Sequence, residues 1–105
     1  MPRLELAPEV GDDFARILDH LAQCQIENPR SRIRKIIEAI NVLAHSTLIG
    51  HPAKTDKREL VIGRRSQGYV ALYRYVVEID TVFVLALRSQ QEAGYAKANP
   101  KEDKP

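Results

Sequence analysis

Apolar residues recur at two different periods along this chain, and the change of period divides it into two halves. In the first half Phe14, Ile17, Leu18, Leu21 and Ala22 stand three and four apart, the spacing that lines one stripe of an α-helix. The pattern predicts a helix over 12–25, with Asp12 or Asp13 capping its N-terminus by accepting free backbone N–H groups. Ile33, Ile36, Ile37, Ile40, Leu43 and Ala44 repeat the spacing and predict a second helix over 29–45. Asn28-Pro29 marks its start: asparagine caps, and the N–H that proline lacks has no partner in the first turn anyway. Arg30, Arg32, Arg34 and Lys35 fall on the outward flank and read as a solvated face. Gly50 and Pro52 close this half. Two one-sided stripes joined by a short connection form an αα-hairpin that needs a further surface to cover.

Beyond Lys54 the period falls to two. Arg58-Glu59-Leu60-Val61-Ile62 alternates as a strand does, and 63–68 reads as a basic, turn-bearing loop between two glycines. The stretch 69–77 is rich in Tyr and Val, which suit a pleated surface. Val70, Leu72 and Val76 share one face with Arg74, while Tyr69, Ala71, Tyr73 and Tyr75 share the other. Glu78-Ile79-Asp80 is a tight reversal. The run 81–87 is apolar throughout, so it should be central and covered on both faces. At the other end of the chain Arg3-Leu4-Glu5-Leu6-Ala7 alternates as a short first strand that Pro8 terminates. The class predicted is α+β: a short N-terminal strand, an α-helical hairpin, then a three-stranded antiparallel meander, with the helices packed on the sheet. Residues 1–95 are expected to form one domain and 96–105 a frayed polar C-terminal tail.

Composition narrows the class without naming a chemistry. The 105 residues have room for one core. At 44% hydrophobic and 29% charged the chain is neither disordered nor membrane-like. No apolar run approaches the ~20 residues of a membrane span, and Met1 to Val10 holds no secretory apolar region. Cys24 is the single cysteine, so no intramolecular disulfide forms. These features point to the cytoplasm, and no membrane partner is expected. A net charge of +2 is too small to argue for nucleic acid by itself. His20, His45 and His51 lack metal-ligand spacing, and no metal or cofactor is expected. Cys24 follows the first apolar stripe and reads as a half-buried small hydrophobe.

The ordered set of segments resembles the RelE/ParE superfamily of toxins from type II toxin–antitoxin systems. The resemblance rests on Arg58-Glu59-Leu60-Val61-Ile62, the basic loop, Gly68-Tyr69-Val70-Ala71-Leu72-Tyr73-Arg74-Tyr75, and the ending Val84-Leu85-Ala86-Leu87-Arg88-Ser89-Gln90-Gln91-Glu92-Ala93-Gly94-Tyr95. It covers residues 3 to 95. It implies a protein neutralised by a cognate antitoxin and contributing to plasmid or segment stabilisation. Growth inhibition follows when the toxin is free. RelE-like members are ribosome-dependent mRNA endonucleases, whereas ParE-like members act on DNA gyrase without evident nuclease chemistry. The resemblance also implies that operator DNA is contacted by the antitoxin rather than by the toxin.

The residues favour the ParE-like branch. RelE-like members carry lysines on the strand before the loop, an arginine after Gly-Tyr and a basic residue or histidine after the last strand. Here Val61, Gly63, Val70 and Ser89 stand at those places. If the chain is an mRNA endoribonuclease, the candidates left are Arg65, Arg74, Arg88 and Tyr95. An arginine stays protonated and makes a poor general base, and Tyr95 needs a strongly lowered pKa to act as one. For binding the target or the antitoxin the candidates are Arg58, Arg64, Arg65, Tyr69 and Arg88. Most have a structural alternative: Arg64 and Arg65 as a solvated hairpin tip, Arg88 paired with Glu92 or another carboxylate, Arg74 paired with a carboxylate, and Tyr69, Tyr73 and Tyr75 as core or interface. An edge strand carrying Leu4 or Leu60 can pair two copies into a homodimer, or join a hetero-oligomer with antitoxin. A third reading is a relative that forms complexes without being toxic.

Overall fold

The first strand, β1 (Arg3–Leu6), stops short of Pro8, and Pro8 opens helix α1 (Pro8–Gln23). The computed structural model describes residues 1–25, 28–64, 68–92 and 94–95. The expected tail, 96–105, lies outside the described residues. Helix α1 begins four residues before the predicted start. Ala7 occupies the capping position in an extended conformation with no side-chain cap, and Pro8 sits at the first helical position. Asp12 and Asp13 therefore lie inside the helix, and neither caps it. Helix α2 (Pro29–Val42) starts at the predicted proline. Asn28 precedes it in the left-handed region, at φ 56°, and makes no side-chain cap; asparagine tolerates that conformation better than most residues.

The remaining strands are β2 (His51–Pro52), β3 (Arg58–Ile62), β4 (Tyr69–Val76) and β5 (Thr81–Ser89). Strands β3, β4 and β5 form the predicted antiparallel meander. The sheet order is β1-β5-β4-β3-β2, and β1 runs parallel to β5. The sheet is thus mixed rather than purely antiparallel, and the two-residue β2 was not foreseen. A 3-10 turn at Val77–Ile79 makes the reversal between β4 and β5, and Asp80 completes it at φ 47°.

Both helices lay their apolar stripes on one face of the sheet. Val10, Ile17 and Leu21 of α1 join Ile36 and Ile40 of α2, and Leu43 just beyond it, over Tyr69, Ala71, Tyr73, Val82, Val84 and Leu87. Strand β5 is apolar and lies inside the sheet between β1 and β4, but β4 is the middle strand, the helices cover only one face of β5 rather than both as expected, and β5 is not regular. Leu72 pairs with Ala86 and the next residue, Tyr73, with Val84, which leaves Leu85 without a partner. This bulge reverses the alternation of β5. Val84 and Leu87 consequently both face the helices, and Arg88, beside Val70, is carried to the opposite face.

Two polar devices hold the frame. The first is at Tyr73, which is fully buried. Its hydroxyl accepts the Gly50 N–H at 2.9 Å, and Arg58 donates to the Gly50 carbonyl at 2.7 Å. A Cβ at Gly50 would lie 2.6 Å from the Glu59 carbonyl oxygen and 2.8 Å from the Tyr73 ring, so only glycine fits. The second is at Leu87. The register of β1 with β5 ends at Val84. Beyond it, α1 side chains take the place of a strand: Asp13 accepts the Leu87 N–H at 2.9 Å and Arg16 donates to the Leu87 carbonyl at 3.1 Å. Asp13 is only 1% exposed, and this bond explains a carboxylate in the apolar stripe of α1.

Candidate functional site

The face of the sheet away from the helices gathers most of the chemistry. Glu59 on β3 and Arg88 on β5 flank β4, where their registered partners are Leu72 and Val70. Tyr95 bridges them. Its hydroxyl donates to Glu59 Oε2 at 2.6 Å, and the Arg88 guanidinium lies 5.3 Å from its ring centre, in cation–π range. The other Glu59 oxygen lies 3.4 Å from His51 Nε2. Arg88 also donates to the carbonyls of Ser89 and Glu92, both at 3.2 Å. Burial raises the Tyr95 pKa, and the hydrogen bond and negative charge of Glu59 raise it further. The phenol is therefore a donor held protonated, the opposite of what a general base requires.

The sequence-predicted residues separate into distinct roles. Arg88 and Tyr95 are brought together on this face. Arg74 shares the face but pairs with Asp56 at 3.2 Å and is largely exposed. This is the carboxylate partner its structural reading asked for, although at the surface. Arg58 staples the segment before β2 through the carbonyls of Gly50 and Leu48. Arg64 is exposed beside Gly63, and Arg65 lies outside the described residues. Tyr69 is 7% exposed and belongs to the core under the helices with Tyr73, so the two rings offer no free stacking surface. The Arg88–Glu92 side-chain pair, the structural alternative for Arg88, does not form; Arg88 bonds the Glu92 carbonyl instead. The Glu92 carboxylate instead binds Arg16 and accepts the Ser89 N–H at 3.1 Å.

A second region lies on the helix side, at the end of the sheet near the 63–68 loop. A groove of about 620 Å³ is lined there by Arg16, His20, Cys24, Arg32, Tyr69 and Ser89, among others. Arg16 is internally engaged by Asp13 at 3.1 Å and by Glu92. Burial works to lower its pKa, but the two carboxylates outweigh burial and the net shift is upward. Cys24 is exposed, contrary to its reading as a half-buried hydrophobe. It closes the C-terminus of α1 with its sulfur 3.7 Å from His20 Nε2. Among the described residues no cluster of His, Cys, Asp and Glu has the arrangement to hold a metal ion. No helix among them is long and apolar enough to cross a membrane.

Sequence reasoning missed Asp13, Arg16, Glu59, Glu92 and His51. Asp13 left a signal: with Val10, Ile17 and Leu21 it falls on the buried stripe, where an acid needs a partner. Glu59 left none, since an alternating strand admits a glutamate on its outer face.

A family described as the ParE toxin of type II toxin-antitoxin system, parDE, has a profile that matches residues 4–94. No curated protein matches the chain. Among solved structures, the chromosomal ParDE toxin–antitoxin system of Pseudomonas aeruginosa is similar at TM-score 0.70 and 19% identity, over 85% of this chain and 96% of that one. The intact Escherichia coli RelBE toxin-antitoxin complex is similar at TM-score 0.58 and 16% identity, over 88% of this chain and 100% of that one. A conserved hypothetical protein of Helicobacter pylori follows at 0.51 and 19%, over 86% and 96%. At these identities the structural likenesses speak to the fold.

Proposed function

The chain belongs to the ParE toxin family of type II toxin–antitoxin systems, and on that premise we propose that it is silenced by a cognate antitoxin and, when free, inhibits growth by binding DNA gyrase. The observation that carries this reading is the state of the three candidate nuclease residues among the described ones, Arg74, Arg88 and Tyr95. Arg74 is paired with Asp56, and Arg88 is packed on Tyr95 and bonded to two carbonyls. Tyr95 itself is a protonated donor to Glu59. Groups so engaged hold shape and charge; they are not arranged to abstract the 2′-hydroxyl proton of RNA. A binding toxin needs only a surface, and the face around Arg88 supplies a cation, a carboxylate and an apolar floor. The cytoplasm is the compartment where such a toxin meets its target, and stabilisation of a plasmid or chromosomal segment is the role it would serve there.

One observation favours the second reading, a ribosome-dependent mRNA endonuclease. Glu59 and His51 stand 3.4 Å apart on the same face as Arg88, so a carboxylate and an imidazole are available near a cation. Expression of the protein alone in a bacterial host separates the two. Altered plasmid supercoiling and DNA breaks with intact message support gyrase. Codon-periodic message cleavage with intact DNA replaces that reading with the nuclease. Arg88→Glu is expected to weaken growth arrest in either case while the protein still folds.

A further inference from the structure

Val70, Leu72 and Ala86 are 2%, 6% and 0% exposed, yet none of them belongs to the core beneath the helices. They lie on the other face, which α1 and α2 do not cover. The register places Leu72 between Glu59 and Ala86, and Val70 between Val61 and Arg88. Tyr95 touches both flanks of this patch, with its hydroxyl on Glu59 and its ring against Arg88, so its side chain spans β4 from one neighbour to the other. The two groups best suited to meet a partner on this face are thus both occupied from within the chain. Among the described residues these two contacts are polar-aromatic, and such contacts exchange readily with those of a ligand.

We propose that Tyr95 is an autoinhibitory latch, whose ring shields the Arg88 guanidinium and whose hydroxyl holds the Glu59 carboxylate until a target displaces it. The proposal rests on the reading of this face as the target-binding surface. In the latched state the apolar floor of Val70, Leu72 and Ala86 is covered and Arg88 is stacked. In the released state a partner finds a cation and a carboxylate on either side of an apolar strip. The latch sets a threshold: the target must supply contacts better than those that Tyr95 makes.

The test reads the latch and the toxicity separately. Phenylglyoxal, an arginine-selective dicarbonyl, is applied to the purified full-length protein, and labelling of each arginine is followed by peptide mass spectrometry. Exposed Arg30 serves as the internal reference. Tyr95→Phe removes only the hydroxyl, so Arg88 labelling relative to Arg30 is expected to rise about threefold to fivefold, the weight of one hydrogen bond. Tyr95→Ala removes the ring as well and is expected to give about tenfold or more. Thermal unfolding of both variants checks that the fold persists; Tyr95→Phe keeps the ring and remains the deciding variant if Tyr95→Ala fails to fold. At matched expression, both folded variants are expected to arrest growth more strongly than the wild type. Unchanged Arg88 labelling overturns the latch. Raised labelling with unchanged or weaker growth arrest overturns its inhibitory role. A wild type that arrests no growth sinks the functional reading instead, and labelling still decides whether Tyr95 shields Arg88.

Discussion

The two faces of the sheet are closed in different ways. Beneath the helices the closure is apolar and redundant: Ile36, Leu43, Val82, Val84 and Leu87 are fully buried or nearly so, and each is packed against several others. On the open face, among the described residues, Tyr95 is held by one carboxylate and one guanidinium. Apolar burial is non-directional and sums over many contacts, so that face fixes the fold. A few directional contacts contribute little to stability and are easily exchanged, so the other face is free to carry function. Damage to the first should therefore appear as lost stability, and damage to the second as changed reactivity with the fold intact.

The sharpest break of this contrast is Leu43→Ala. Leu43 is fully buried, and truncation is expected to cost about 2–5 kcal/mol, read as a lowered midpoint in urea unfolding. A cost near zero would mean that the helix-side core is not what holds the fold. Next comes Asp13→Ala, which strips the Leu87 N–H of its partner and leaves Arg16 with Glu92 and the Leu87 carbonyl. Loss of about 1–3 kcal/mol is expected, the penalty of an unpaired buried donor. A neutral result would show that α1 does not act as a surrogate strand.

Alkaline titration probes both faces together. Burial raises the pKa of Tyr73, the neighbouring Gly50 N–H and Arg58 only partly offsetting it, and burial plus Glu59 raises that of Tyr95. In the unfolded chain these phenols ionise near the ordinary value of about 10. Folded-state values above the unfolded ones give stability that is full below about pH 10 and drains away as pH climbs past it. Tyrosinate absorbance should therefore lag below the full complement of 4 tyrosines until unfolding releases the rest. A single simple ionisation of all of them near 10, with the protein still folded, would contradict the packing around both hydroxyls. The smallest effect belongs to Arg74→Ala. Its pair with Asp56 is at the surface, and removal should change stability by less than about 0.5 kcal/mol. A much larger loss would mean that the open face shares the structural load.

Much of this division was legible in the residues. The spacing of Ile33, Ile36 and Ile40 could only be a one-sided helix, and Asn28-Pro29 located its start to the residue. The alternation at 58–62 and the unbroken apolar run after Thr81 marked strands of the meander, although its central strand is β4 rather than the apolar β5. Less was legible at α1, where Pro8 read as the end of a strand and turned out also to be the first residue of a helix. Asp13 then read as a cap although its spacing put it on the buried stripe. Of the candidate site, the sequence reading named Arg88 and Tyr95, which the structure brings together, but did not single out Glu59 and His51 beside them.

Local periodicity determined elements, since burial on one side of a helix or strand imposes a repeat that each segment carries by itself. What no segment carries is the relation between segments. The bulge at Leu85 is one missing pairing, yet it decides that Arg88 faces away from the helices; strict alternation from Val84 would have put it beneath them. The parallel pairing of β1 with β5, the two-residue β2, and the return of Tyr95 to Glu59 across 36 positions of sequence are of the same kind. They depend on register and chain reversal summed over the whole sheet, and those are settled only when the strands assemble.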